Sequence, residues 1–133
     1  MLSNNTPPSI LTEAGLNMFI DTAKLAALPL PIIDMPVSDL LWHFDMPIWA
    51  KDETDDWNLT PWEVIEGNPN TMVHRKRVDQ ADIQYPILVT NYKSKLVILD
   101  GVHRLVKIYE NGSKVVRAKM IPAEYLSQKA FQT

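Results

Sequence analysis

Two runs rich in β-branched residues, close together in the last third of this 133-residue chain, constrain its fold more than any other feature. The runs are "PILVT" (86–90) and "KLVIL" (95–99), and the polar stretch "NYKSK" joins them. Such runs with a short polar link predict a β-hairpin. A third run, "KVVRAKMI" (114–121), predicts another strand.

A short amphipathic helix is predicted between the hairpin and that strand. Apolar residues follow the spacing i, i+3, i+4, i+7 of one helical face: Val102, Leu105, Val106 and Tyr109. Asn111-Gly112 is a good stop, because glycine readily takes the left-handed conformation. Strand, helix and strand in close succession favour a right-handed crossover on a mixed sheet. The predicted fold class is α+β, with a hairpin-turn-helix-strand core in one domain.

Residues 1–30 predict a flexible and helical extension ahead of a domain at 31–133. The opening "MLSNNTPP" is polar and ends in prolines, which favours mobility. From Ser9, apolar residues near helical spacing predict one helix, or two separated near Gly15, with an end at "PLP" (29–31).

The segment from 31 to 62 alternates extended and polar character. "PIIDMPVSDLLWHFDMPIW" (31–49) is extended, and its prolines confine it to edge strands or loops. "AKDETDDWN" (50–58) is an acidic loop. Thr60, Pro61 and Glu63 then fit a capping box with proline at the first helical position, and residues 71–83 predict a second, irregular helix.

Composition narrows the functional classes. A formal net charge of −3 and a pI of about 5.5 argue against general binding to nucleic acid or to membrane surfaces. The chain has no cysteine, which excludes disulfides, thiolate metal sites and cysteine nucleophiles. No basic stretch precedes an apolar one near the N-terminus, so we expect a cytoplasmic protein without a membrane segment.

The corner between the second predicted strand and the helix, "DGVHR" (100–104), is the leading candidate site. First-turn N–H groups are unpaired and carry the positive end of the helix dipole. Gly101 would let a ligand approach the backbone, while His103 and the exposed Arg104 add donors and charge. The corner therefore predicts a phosphate site. Asp100 could cap the helix, orient His103 or hold a phosphate-bound Mg²⁺.

An ordinary turn explains the same residues without a ligand. Asp-Gly before a helix is a common turn with an N-cap, and most such corners bind nothing. Cations in a first helical turn also oppose the dipole, so His103 and Arg104 call for a compensating anion, which Asp100 itself could supply.

Other polar clusters offer weaker candidates. The basic run His74-Arg75-Lys76-Arg77 could contact phosphates or form a solvated helix face. The acidic loop residues Asp52, Glu53, Asp55 and Asp56 could supply a catalytic base or Mg²⁺ ligands, or form plain surface. His43 and Asp45 are expected to share a face of an extended segment, but no ligand pair has zinc-motif spacing.

Four tryptophans are concentrated within 21 residues: Trp42, Trp49, Trp57 and Trp62. Packing in the core and at sheet edges is the ordinary role of such residues. The alternative is that one of them stacks on a base or lines a partner-binding groove.

The stretch from Tyr85 to Pro122 resembles the ParB/sulfiredoxin-like domain, whose signature is a hairpin, a Gly-x-His-Arg phosphate-binding turn, a helix and a strand. The upstream "LTPWEVIEGNP" and "HRKRVDQADI" are similar to small, uncharacterised bacterial ParB-like proteins. The resemblance implies phosphate or nucleotide binding at Asp100, Gly101, His103 and Arg104, with His74, Arg75 and Arg77 nearby and ATP or another nucleotide with Mg²⁺ as ligand.

Departures from the pattern exclude some family activities. Val102 stands where sulfiredoxins carry their cysteine, so sulfinic-acid reduction is excluded. We expect no helix-turn-helix of the ParB type after this domain, and the carboxylate base of the serine-phosphorylating branch does not map onto this chain. The leading hypothesis is a nucleotide-binding domain, with phosphohydrolase or small-molecule kinase activity left open. The alternatives are a non-catalytic module with a protein partner and a DNA-binding or nuclease protein.

Overall fold

The computed structural model describes Glu13 and residues 20–133. The mobile segment predicted at 1–8 lies outside these residues, as does most of the helix predicted from Ser9. The first helix with described bounds is α1 (Thr22–Ala26), and the Asp21 side chain accepts a hydrogen bond from Lys24 N at its start. Across the described residues, no helix combines the length and hydrophobicity needed to cross a membrane.

A four-stranded mixed sheet forms the centre of the α+β fold, as the sequence predicts. Its strands are β1 (Ile32–Pro36), β2 (Ile87–Tyr92), β3 (Lys95–Asp100) and β4 (Val115–Met120). Their order is β1-β4-β2-β3, with β4 parallel to β2 and the other two pairs antiparallel. The strand after the helix therefore pairs with the first hairpin strand, and β3 forms one edge of the sheet.

The hairpin is tighter than its sequence suggests. Tyr92 pairs with Lys95, so only Lys93 and Ser94 form the turn, both with positive φ (50° and 63°). Two-residue turns of this kind match the twist of the flanking strands. At the other end, the register shifts between Leu88 and Val89, which oppose Asp100 and Ile98.

In the described part of the chain, three helices cover one face of the sheet. They are α2 (Pro61–Ile65), α3 (Met72–Gln80) and α4 (Val102–Glu110). The predicted capping box is confirmed: Thr60 Oγ1 accepts from Glu63 N, and the Glu63 carboxylate accepts from Thr60 N. The predicted amphipathic helix is confirmed as α4, with Leu105 and Val106 buried in the main core.

The second face of the sheet is covered by α1 and the C-terminal segment. Alternation along β2 explains this arrangement, since Ile87 and Val89 join the main core whereas Leu88 packs with Leu25 and Ile121 on the other side. The sheet is therefore buried on both faces at β2.

The segment 31–49 is extended only in part. β1 is an edge strand, as its proline predicts, but two 3₁₀ helices follow it, Val37–Asp39 and Leu41–Asp45. Buried Val37, Leu40 and Phe44 are spaced by three and four residues, which is a helical period rather than the alternation of a strand. The prediction of an extended conformation was wrong there.

Candidate functional site: a histidine pair beside a pocket

Consecutive residues of the predicted corner point to different places. In the first turn of α4, His103 Nε2 lies 2.9 Å from Nδ1 of His74 on α3. Arg104 instead donates to the carbonyl of Pro86 (2.7 Å) and to the Asp100 carboxylate (2.9 Å). Adjacent residues of a helix differ by about 100° in direction, which explains the divergence. The corner is therefore two separate environments.

Arg104 is held by contacts within the chain. The Arg104 side chain is only 20% exposed, so the expectation of an exposed first-turn arginine was wrong. Asp100 supplies the compensating anion that the helix dipole calls for, but it neither caps α4 nor contacts His103. A small cavity of about 240 Å³ on this side is also lined by Lys119, whose ammonium donates to the carbonyls of Ala26 and Leu28.

Gly101 has a structural reason to be glycine. Its φ is +117°, and a Cβ added there would lie 2.6 Å from Cγ2 of Ile87. The space beside its α-carbon on that side is thus filled by β2 rather than open to a ligand. Gly101 sets the sharp change of direction that starts α4 one residue after β3.

The His103 side carries a flat pair of imidazoles under an indole. The rings of His74 and His103 are 3° from coplanar, with centroids 5.2 Å apart. Trp49 stacks on both, at 4.6 Å and 8° for His74 and at 4.3 Å and 10° for His103. The indole therefore holds the two rings in one plane and covers one face of the pair.

Both imidazoles of the pair are neutral at pH 7. Burial lowers the pKa of His74 to about 4, and the positive charge of Arg77 acts in the same direction, while Asp52 opposes it. Burial also lowers the pKa of His103 to about 4, helped by His74, Arg77 and Arg104. A neutral pair holds one proton in its shared hydrogen bond, so one ring donates and the other accepts.

A pocket of about 380 Å³ opens beside this pair. Its lining combines aromatic, basic and acidic residues: Ile48, Trp49, Ala50, Asp55, Asp56, Trp57, His74 and Arg77. His74 is 7% exposed and presents this remaining surface where it lines the pocket. Within the described residues, no hydrogen bond is made by the second ring nitrogen of His74.

The basic residues of α3 also lie in two different environments. Arg75 donates across to Glu110 on α4 at 2.7 and 2.9 Å. It also donates to Asp79 on its own helix at 2.8 Å. These carboxylates raise the pKa of Arg75 further above its ordinary value, Glu110 most of all. Arg75 thus links two helices, whereas His74 and Arg77 face the pocket.

The acidic loop also separates into two roles. The Asp52 carboxylate accepts from the backbone N–H groups of Met72 (2.8 Å) and Val73 (3.0 Å), and so caps α3 from 20 residues away. Asp55 and Asp56 instead line the pocket, as Arg77 does. The described residues contain no group of three or more histidine, aspartate or glutamate side chains that could hold a metal ion.

His43 is structural, and the expectation that it shares an extended face with Asp45 was wrong. Its Nε2 accepts from Ile98 N (2.9 Å), which puts the ring proton on Nδ1 for donation to Leu40 O (2.8 Å). Burial lowers the pKa of His43 to about 4. Asp45 accepts from the indole N–H of Trp62.

The tryptophans are engaged within the chain. Trp42 donates to Leu96 O, Trp62 packs edge-on against Phe44, and Trp49 is buried over the histidine pair. Trp57 is half-buried and lines the pocket. Trp42 and Trp62 are half-buried as well, so burial withdraws only Trp49 from a surface that a partner could use.

Sequence reasoning missed two features of this site, the Trp49 stack and the Asp52 cap. Both join residues more than 19 positions apart, and neither follows a spacing that a single sequence reveals. Comparison of the chain with protein-family models, with curated proteins and with solved structures found no match in any of the three.

Proposed function

We propose that the protein binds a nucleotide through its phosphate groups in the pocket beside the histidine pair. The observation that carries this proposal is that Arg77 and His74 line the same pocket, and that His74 bonds to His103 in the first turn of α4. A guanidinium and an imidazole are groups that proteins use to bind phosphate. Membership of the ParB/sulfiredoxin-like superfamily belongs to the same proposal.

Size and aromatic lining support a nucleotide over a bare phosphate ion. The pocket volume of about 380 Å³ lies within the range of small-molecule sites. Trp57 also lines the pocket, and aromatic side chains are the ones that commonly meet bases in nucleotide sites. The phosphates would then lie toward Arg77 and the base toward Trp57.

The two carboxylates at the pocket favour a nucleotide that carries Mg²⁺. Asp55 and Asp56 would repel an uncomplexed polyphosphate, whereas Mg²⁺ is usually held by one or two carboxylates together with phosphate oxygens and water. The ligand itself would thus complete the coordination that the described side chains lack. Asp100 and Arg104 act in this proposal by fixing the corner from which His103 projects.

Calorimetry with ATP, CTP, ADP and GTP in the presence of Mg²⁺ tests the proposal. We expect one of them to bind, and Arg77→Gln to weaken that binding by about 10-fold or more, since a charge-assisted contact is lost. Lys76→Gln is the matched control: it removes the same charge from the neighbouring exposed position of α3 and should leave affinity unchanged. No heat from any nucleotide at millimolar concentration would refute the proposal.

A further inference from the structure

The histidine pair differs from an ordinary buried histidine in one respect. His43 uses both ring nitrogens in bonds to the backbone, to Leu40 O and Ile98 N. His74 and His103 use one nitrogen each, on one another, across 2.9 Å. Among the described residues, the second nitrogen of each ring has no hydrogen-bond partner. Every fully buried side-chain nitrogen or oxygen there does have a partner, so these two nitrogens are not fully buried. These outer nitrogens therefore reach the molecular surface.

We infer that His74 and His103 form a proton relay that activates water for hydrolysis of the bound phosphoanhydride. This inference rests on the proposed function and adds a reaction to it. The pair provides in-plane contact between two nitrogens, with Trp49 excluding water from one face. His74 also lines the pocket, where its outer nitrogen can meet a water molecule.

The proton balance of the step follows from the pair's geometry. With the shared proton on Nδ1, His74 Nε2 has a free lone pair and takes a proton from water. The water oxygen forms a bond to phosphorus, and the phosphorus–oxygen bond of the leaving group breaks with its electron pair on oxygen. The Nδ1 proton moves to His103 Nε2, and its return along the same path lets His74 protonate the leaving oxygen.

The charges around the pair set its basicity. In the free protein, Arg77 and Arg104 favour the neutral rings, Asp52 opposes them on His74, and Asp55 and Asp56 face the same pocket. A polyphosphate held at Arg77 brings negative charge beside His74 and raises the pKa of the ring toward its ordinary value. The imidazole thus becomes a stronger base when substrate is present.

Phosphate release from Mg²⁺·ATP and Mg²⁺·CTP provides the test. His74→Ala and His74→Gln should lower kcat by about 100-fold, the usual contribution of a positioned general base, with Lys76→Ala as the unaffected control. His103→Gln keeps a hydrogen-bonding partner but cannot carry the proton, so it should lower kcat by about 10-fold with little change in KM.

Chemical rescue separates a catalytic from a structural role. Free imidazole should restore activity to His74→Ala by about 10-fold, because the pocket beside the deleted ring admits it. A structural role predicts no rescue. Should His74→Ala fail to fold, the kcat of His103→Gln decides instead.

The failure of the relay is distinguishable from that of nucleotide binding. A nucleotide that binds in calorimetry without phosphate release above background would overturn the relay and leave the binding site intact. So would a folded His74→Ala that keeps wild-type kcat or gains nothing from imidazole. Absence of nucleotide binding would overturn both.

Discussion

The two sides of the corner after β3 differ in how their polar groups are satisfied. On one side, Arg104 is bound by Asp100 and the Pro86 carbonyl, and the nearby Lys119 by two further carbonyls. On the other side, the rings of His74 and His103 hydrogen-bond to one another, with no further ring partner among the described residues, and stack under Trp49 beside a pocket. The short motif Gly-x-His-Arg supplies one residue to each side, Arg104 to the first and His103 to the second.

His103 and Arg104 thus have different environments although they are neighbours in the first turn of α4. Arg104 uses two of its N–H donors on Pro86 O and Asp100, and its loss leaves both acceptors without that donor. A neutral imidazole with a free nitrogen at a pocket is available for binding and for proton transfer. From this comparison we propose that Arg104 contributes mainly to stability and that His74 and Arg77 contact the ligand.

The largest expected effect is on the free energy of unfolding and comes from replacing Gly101, the residue between β3 and α4. Gly101→Ala places a Cβ 2.6 Å from Ile87 Cγ2 at a φ of +117°, so we expect a loss of about 3 kcal/mol in the free energy of unfolding. Gly112→Ala has a similar φ of +80° with nothing within 4 Å and should lose only about 1 kcal/mol. Urea denaturation measures both, and equal losses would show that the Ile87 contact is immaterial.

The next effect is on the pH dependence of stability. Burial lowers the pKa of His43 to about 4 in the folded chain, below its ordinary value of 6.5. The unfolded state then binds more protons, so stability is full above pH 6.5 and falls as pH drops toward 4, by on the order of 3 kcal/mol. Urea denaturation at pH 7, 6, 5 and 4 should show a smaller slope in His43→Gln; an unchanged slope would contradict the assignment.

A smaller effect distinguishes the two arginines. Arg104→Ala should lower the free energy of unfolding by about 1 to 2 kcal/mol, because it leaves the Pro86 carbonyl and Asp100 without their donor. Its nucleotide affinity should stay within about twofold of wild type, because Arg104 does not line the pocket proposed for the nucleotide. Arg117→Ala, an exposed arginine with one 3.2 Å contact to Gln84 O, is the control. A large loss of affinity with unchanged stability would reverse the assignment of the two sides.

Much of the fold could be predicted from the sequence because it depends on local signals. The capping box at Thr60, the face of α4 and the β-branched hairpin each act within a few residues. The 3₁₀ helices at 37–45 were missed because prolines on both sides suggested an extended chain, whereas packing of Leu40 and Phe44 into the core decided the conformation.

Less of the candidate site could be predicted. The chemistry of His74, His103 and Arg77 was visible, but their grouping depends on the packing of α3 against α4, 29 residues apart for the histidine pair. Arg104 looked equivalent to His103 in the sequence, and only its direction around the helix separates them. Trp49 gave no signal of a role in the site, because a buried tryptophan is ordinary.

Ring-nitrogen NMR of the three histidines tests the central claim most directly. On titration with Mg²⁺·ATP and Mg²⁺·CTP, the account predicts that the ¹⁵N resonances of His74 and His103 shift together, while those of His43, bonded to the backbone at both nitrogens, stay in place. Unmoved His74 and His103 resonances alongside a shift at the Arg104 guanidinium would contradict it, since the ligand would then bind on the side that we assign to structure.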